Sequence, residues 1–184
     1  MQINGFKVEL RPLEEKWLKD LYYWKYEEKH QEADKWNGPY IPKEHLNWDD
    51  FCQQQQNQFL YYDVYSQLII TVKDRFIGTV GCYWVDQNTD WLETGIVIYD
   101  PAYWNGGYGT EAYKLWIDYL FNQTNLHRLG MSTWSGNQRM MKVADRVGMK
   151  EEARIRQARQ VGGEYYDAIK MGILRSEWDK NNNI

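Results

Sequence analysis

The chain predicts a mixed α/β (α+β) fold, with helices packed against one twisted sheet. Three observations carry this. Apolar β-branched runs of strand length alternate with apolar stripes at helical spacing. Two polar or glycine turns, Lys73-Asp74-Arg75 and Gly162-Gly163, join neighbouring runs as hairpins. A glycine-rich loop, Trp104-Asn105-Gly106-Gly107-Tyr108-Gly109, joins a strand to a helix. The expected sheet has about seven strands, mostly antiparallel, flanked by about four helices. The 184 residues show no linker, repeat or boundary, so one domain, 1–184, is expected, large enough to bury a core.

The elements follow in order. Val8 to Pro12 alternates and reads as a first strand, stopped by proline. Glu14 to Glu28 carries Trp17, Leu18, Leu21, Tyr22 and Trp24, a helical stripe. Asp34 to Pro42 is turn-rich and aromatic. His45 to Phe59 predicts a second helix, with the glutamines from Gln53 to Gln56 on its solvated face. Tyr65–Lys73, Phe76–Val85 and Trp91–Tyr99 read as three successive strands. A helix over 108–122 buries Ala112, Leu115, Trp116, Tyr119 and Leu120. His127 to Trp134 is a strand, and Gln138 to Val147 a helix that Gly148 ends in the left-handed C′ position. Two strands over 150–160 and 165–174 close the chain.

Composition narrows the function. Ten Trp and 15 Tyr are too many rings for a disordered chain. Rings with a polar handle suit a half-wet groove or a subunit contact, which leaves room for a homodimer. A net charge of −4 is the wrong sign for a nucleic-acid binder. Cys52 and Cys82 make no disulfide framework, and the three histidines have no ligand spacing, so no metal is expected. No apolar run reaches membrane-spanning length, and MQINGFKVELRP lacks the regions of a signal peptide, so a cytoplasmic location without a membrane partner is expected.

The stretch Glu93 to Ala112 organises the rest. Gly95-Ile96-Val97-Ile98-Tyr99 is a strand, Asp100-Pro101 ends it, and the glycine loop leads into a helix. Strand, glycine loop and helix N-terminus together present backbone N–H groups to a phosphate. No Gly-Lys-Ser/Thr follows the glycines, and the loop lies past mid-chain, so neither a Walker loop nor a dinucleotide fingerprint fits.

The loop resembles the acetyl-CoA signature of the GNAT superfamily of N-acetyltransferases, Arg/Gln-x-x-Gly-x-Gly/Ala, departing from it only at Trp104. Asp100, Tyr103-Trp104, Thr110-Glu111-Ala112, Asn125 to Arg128, Ser135 to Arg139, Val147 to Glu152, Gly163 to Asp167 and Met171 to Trp178 resemble the ribosomal-protein N-terminal acetyltransferase branch. The resemblance implies a GNAT fold and direct transfer of acetyl from acetyl-CoA to a primary amine, either a protein N-terminus or a small molecule. It implies cofactor contacts from Ile96, Val97, Ile98, Trp104, Asn105, Gly106, Gly107, Tyr108, Gly109, Thr110, Asn137 and Arg139. Glu93 matches the family's glutamate at the start of the central strand and is the candidate base, its pKa expected to be raised in an aromatic-lined groove. Many relatives carry a tyrosine acid four residues before the glycine; here Ala144 stands there. That departure leaves a catalytically silent acyl-CoA sensor as the alternative. Asp34, Trp36, Tyr40 and Tyr165 are the candidate acceptor-site residues, with Trp24, Tyr166 and Asp167 beside them.

Overall fold

The computed structural model describes residues 1–61 and 63–182. Along the chain lie β1 (Ile3–Asn4), β2 (Glu9–Arg11), α1 (Glu15–Tyr22), α2 (Trp48–Gln54), β3 (Phe59–Tyr61), β4 (Val64–Tyr65), β5 (Gln67–Val72), β6 (Arg75–Asp86) and β7 (Trp91–Ile98). Then come α3 (Tyr108–Gln123), β8 (Arg128–Trp134), α4 (Gln138–Arg146), β9 (Lys150–Val161), β10 (Glu164–Leu174) and α5 (Arg175–Asn182). Eight strands form one sheet in the order β1-β2-β5-β6-β7-β8-β10-β9, and β3 pairs with β4 apart from it. Every neighbour in the large sheet is antiparallel except β7 and β8.

Period-two alternation sends side chains to two cores. Leu68 and Ile70 of β5 and Ile77 of β6 join Tyr113, Trp116, Ile117 and Leu120 of α3. Ile69 and Phe76 face the other way, onto Leu13, Trp17, Leu21, Phe51 and Tyr99. Trp116 is fully buried and its indole N–H donates to the Gly81 carbonyl at 3.1 Å. The second core is ringed by aromatics: Tyr22 packs at 5.1 Å on both Tyr26 and Phe51 and at 5.2 Å on Trp48. Much of the aromatic content is spent here, with Trp24 among the rings packed against this core.

Several elements differ from expectation. The first helix leaves the α form at Tyr22 and continues as a π turn over Tyr23–Glu27. The second is shorter at both ends: the Asn47 side chain accepts from the Asp50 N–H and starts the helix at Trp48. It stops at Gln54, where the glutamines offer no apolar face to pack, and Phe59 falls in β3 instead. β1, β3 and β4 are two or three residues long, too short to leave a periodic signal. α5 went unseen because it rests on one deeply buried ring, Trp178, packed on Phe121 at 5.1 Å. Among the described residues no helix is long and apolar enough to cross a membrane.

Candidate active site

β7 and β8 run parallel and pair at one position, Glu93↔Gly130. That point is locked from behind. The Thr94 hydroxyl donates to the Gly130 carbonyl at 3.0 Å and lies 2.7 Å from the Tyr113 hydroxyl. Beyond it the strands part, and a cleft of about 1180 Å³ opens, walled by Thr94 to Ile98 of β7 and Met131 to Thr133 of β8. The parted edge of β7 offers backbone donors and acceptors that β8 does not take up.

At one end stands the glycine loop. The Asp100 carboxylate accepts from the Ala102 N–H and from Arg75, both at 3.0 Å, and turns the chain out of β7. The Trp104 indole N–H donates to the Ile98 carbonyl at 2.9 Å. Asn105 and Gly107 take left-handed backbone, with φ of 62° and 83°; a glycine at 107 removes the strain an L side chain would carry there. Gly107 caps α3, and the first intrahelical bond runs from the Glu111 N–H to its carbonyl at 3.1 Å. The N–H groups of the first helical turn are therefore left for the cleft, which Gly107, Gly109 and Thr110 line. Lys7 braces the loop from outside, its ammonium donating to the Gly106 carbonyl at 2.7 Å and its backbone N–H to Glu111 at 2.8 Å. Nothing in the sequence around Lys7 announces this role.

α4 supplies the facing wall. Asn137 is its N-cap: the side-chain oxygen accepts from the Met140 N–H at 3.1 Å, and the amide donates to the Trp36 carbonyl at 3.0 Å. The Trp134 indole donates to the same carbonyl at 2.9 Å. These bonds pin the 33–42 segment over the cleft, where Trp36, Tyr40, Ile41 and Pro42 line it. The Arg139 guanidinium lies between the rings of Trp36 (4.8 Å) and Trp104 (4.6 Å). Arg139, Lys142 and Arg146 all reach the cleft.

At the other end Tyr83, Ser132 and Lys170 line the cleft, and Glu93, 2% exposed, lies behind them, outside the lining. One carboxylate oxygen is ion-paired with Lys170; the other accepts from the Ser132 hydroxyl at 2.6 Å and the Tyr83 hydroxyl at 2.7 Å. Burial pushes its pKa up, but the bonds from Lys170, Ser132 and Tyr83 outweigh that and hold it below the ordinary glutamate value. The expected raised pKa is thus reversed, because an internal ammonium and two hydroxyls stabilise the charged form.

Other expectations also need correction. Gly106 and Tyr108 do not line the cleft: the Tyr108 ring packs edge-on against Tyr103 at 5.2 Å, beneath the Lys7 ammonium. Tyr165 is 63% exposed and lies outside it. Asp34 is outside too and is paired with Lys43. Asp167 is occupied by Arg154 (3.0 Å) and the Gln157 N–H (3.0 Å). Ile96, Val97, Ile98, Trp104, Asn105, Gly107, Gly109, Thr110, Asn137 and Arg139 do come together. Lys170, Ser132, Tyr83 and Arg159 are in the cleft without having been singled out; they come from four strands, β10, β8, β6 and β9, and strand alternation alone does not mark them.

The model of the acetyltransferase (GNAT) domain family matches residues 7–150. The uncharacterized N-acetyltransferase YnaD of Bacillus subtilis strain 168 is 30% identical over 82 residues, 45% of this chain and 48% of that relative. The chain therefore matches about half the length of that curated relative. Two solved structures share the fold at a TM-score of 0.74. A GNAT-family acetyltransferase from Bacillus anthracis is 20% identical, covering 96% of this chain and 100% of that one. The spermidine N-acetyltransferase of Vibrio cholerae, solved in complex with CoA and spermine, is 19% identical, covering 95% and 99%. With the family model spanning most of the chain and the same fold found throughout, this protein belongs to the GNAT acetyltransferase family.

Proposed function

We propose that this protein transfers an acetyl group from acetyl-CoA directly to a primary amine. The observation that carries the proposal is the single parallel pairing Glu93↔Gly130, beyond which the strands part between a helix N-terminus and a buried carboxylate. The residues present fit acetyl-CoA. The first turn of α3 and the cations of α4 suit its phosphates, and the free edge of β7 suits the amides of its arm. When bound, acetyl-CoA supplies an activated thioester. The Asn137 amide has already given one donor and one acceptor to the fold, so only its remaining capacity faces the arm.

Glu93 is held ionised across the neutral range and lies just behind Tyr83, Ser132 and Lys170, which line that end of the cleft. It holds the acceptor nitrogen, in exchange with Lys170, and takes up the proton that nitrogen sheds, directly or through water. Among the described residues no cysteine lines the cleft, and burial lifts the Cys82 thiol to about 12, so no thiol is placed there to carry the acetyl group. Ala144 is fully buried and gives no proton donor at the place where many relatives carry a tyrosine. The cytoplasmic location and the lack of a nucleic-acid partner are part of the same reading and rest on the sequence.

Calorimetry with acetyl-CoA tests the proposal. One-to-one binding is expected, abolished in Gly109→Asp, where a carboxylate would meet the phosphates. No binding by the wild-type protein would overturn it.

A further inference from the structure

We propose that the acceptor end of the cleft holds a carboxylate, so that the amine acetylated here carries an acid group at its far end. This rests on the acetyl-transfer reading above. Among the described residues no Asp or Glu side chain lines the cleft, Glu93 lying behind Tyr83, Ser132 and Lys170, while five cations do: Arg139, Lys142, Arg146, Arg159 and Lys170. The three on α4 line the cleft, Arg139 against Trp104 of the glycine loop at 4.6 Å, and answer to the cofactor phosphates. Of the two at the other end, Lys170 is neutralised by Glu93. Arg159 has no carboxylate partner among the described residues. Its guanidinium lies 4.5 Å from the centre of the Tyr40 ring, its Nε is buried without a hydrogen-bond partner, and its Nη1 reaches only the Ala158 carbonyl at 3.5 Å.

A stacked guanidinium with its fork unused is pre-oriented for a carboxylate, which it binds through two parallel N–H bonds. The backbone is irregular so as to put it there. Ile155 pairs with Ala168 and Arg159 with Tyr166, so β9 spends two more residues than β10 between those pairs. The bulge centres on Gln157, with φ of 54° and its N–H held by Asp167 at 3.0 Å. It sets Arg159 directly opposite Tyr166, and directly opposed residues share one face of a sheet. On that face the Tyr166 ring meets Trp134 at 4.8 Å, the cleft side of β8. A polyamine would bring a second ammonium towards Arg159 and find no carboxylate to receive it.

The test compares 6-aminohexanoate with 1,6-diaminohexane, which differ only in the far group. Binding of each to the CoA-loaded protein is measured by calorimetry, with turnover of acetyl-CoA followed in parallel. The acid is expected to bind at least about tenfold more tightly than the diamine. Arg159→Glu should reverse that order, and Arg159→Lys should keep part of it, showing that the variants are folded and that charge is what is read. Equal or tighter binding of the diamine, no binding of either, or an order unchanged in Arg159→Glu would overturn the inference. Preferential binding of the acid without turnover would support it and count instead against acetyl transfer.

Discussion

Glu93 shows how a single position can be found in a sequence while its electrostatics are not. Its place at the head of the central strand was legible. Its pKa direction was not, because the groups that set it, Tyr83, Ser132 and Lys170, arrive from β6, β8 and β10. Burial and these three bonds act in opposite senses, and the bonds prevail. Removing one should therefore let burial show. In Lys170→Met the acid limb of kcat/KM is expected to move to higher pH, as a pH–rate profile would record. In Glu93→Gln kcat should fall by about a hundredfold or more, with acetyl-CoA affinity little changed; unaltered kcat would leave Glu93 with no part in the chemistry. The same shift acts on stability. A carboxyl whose folded pKa lies below its unfolded value stabilises the fold above the unfolded value of about 4.3 and loses that contribution as pH falls through the folded value. The drop in melting temperature on acidification below that point should accordingly be smaller in Glu93→Gln than in the wild type.

At the scale of elements, the strand–loop–helix unit was readable because its glycines and its change of period are local. What the local pattern could not show is which loop positions face inward. Gly109 does, on the first turn of α3, and a Cβ built on it meets Ile98 only at an ordinary 3.7 Å. An acid in the first turn also complements the helix dipole. Gly109→Asp is thus expected to keep the wild-type melting temperature while losing acetyl-CoA binding, separable by thermal melts and calorimetry on one preparation. Asn137 was expected to touch the cofactor; in the fold it caps α4 and ties Trp36 down with the same amide. Asn137→Ala should cost about 1–2 kcal/mol, a fall of several degrees in Tm. Asn137→Asp, which keeps the cap acceptor but cannot donate to Trp36, should recover part of it. An unchanged Tm in Asn137→Ala would mean that neither bond holds in solution.

Across the whole molecule, the sheet with helices on both faces followed from alternation and helical stripes, and the register of its hairpins from short turns such as Lys73-Asp74, both left-handed. The parting of β7 from β8 did not follow. It depends on Thr94 binding the Gly130 carbonyl 36 residues away and on Tyr113 of α3 closing behind it, contacts that no window of sequence contains. Of the expected acceptor wall, Trp36 and Tyr40 line the cleft, while Asp34 and the Tyr165 end of the last hairpin do not. The bulge in β9 brings Arg159 to the cleft face, while Tyr165 and Asp167 of the same hairpin are turned to solvent or tied to Arg154. The aromatic richness, read as a groove or subunit contact, is shared between the two cores and the cleft, which Trp36, Tyr40, Tyr83, Tyr103 and Trp104 line.

Release of free CoA thiol from acetyl-CoA, followed with a thiol reagent while amines are added one at a time, tests the central claim most directly. The account predicts that thiol appears only when an acceptor amine is present, at a rate that falls in Glu93→Gln and vanishes in Gly109→Asp. Tight acetyl-CoA binding with no thiol released by any amine, whether N-terminal peptide, diamine or amino acid, would contradict it and leave an acyl-CoA sensor in its place.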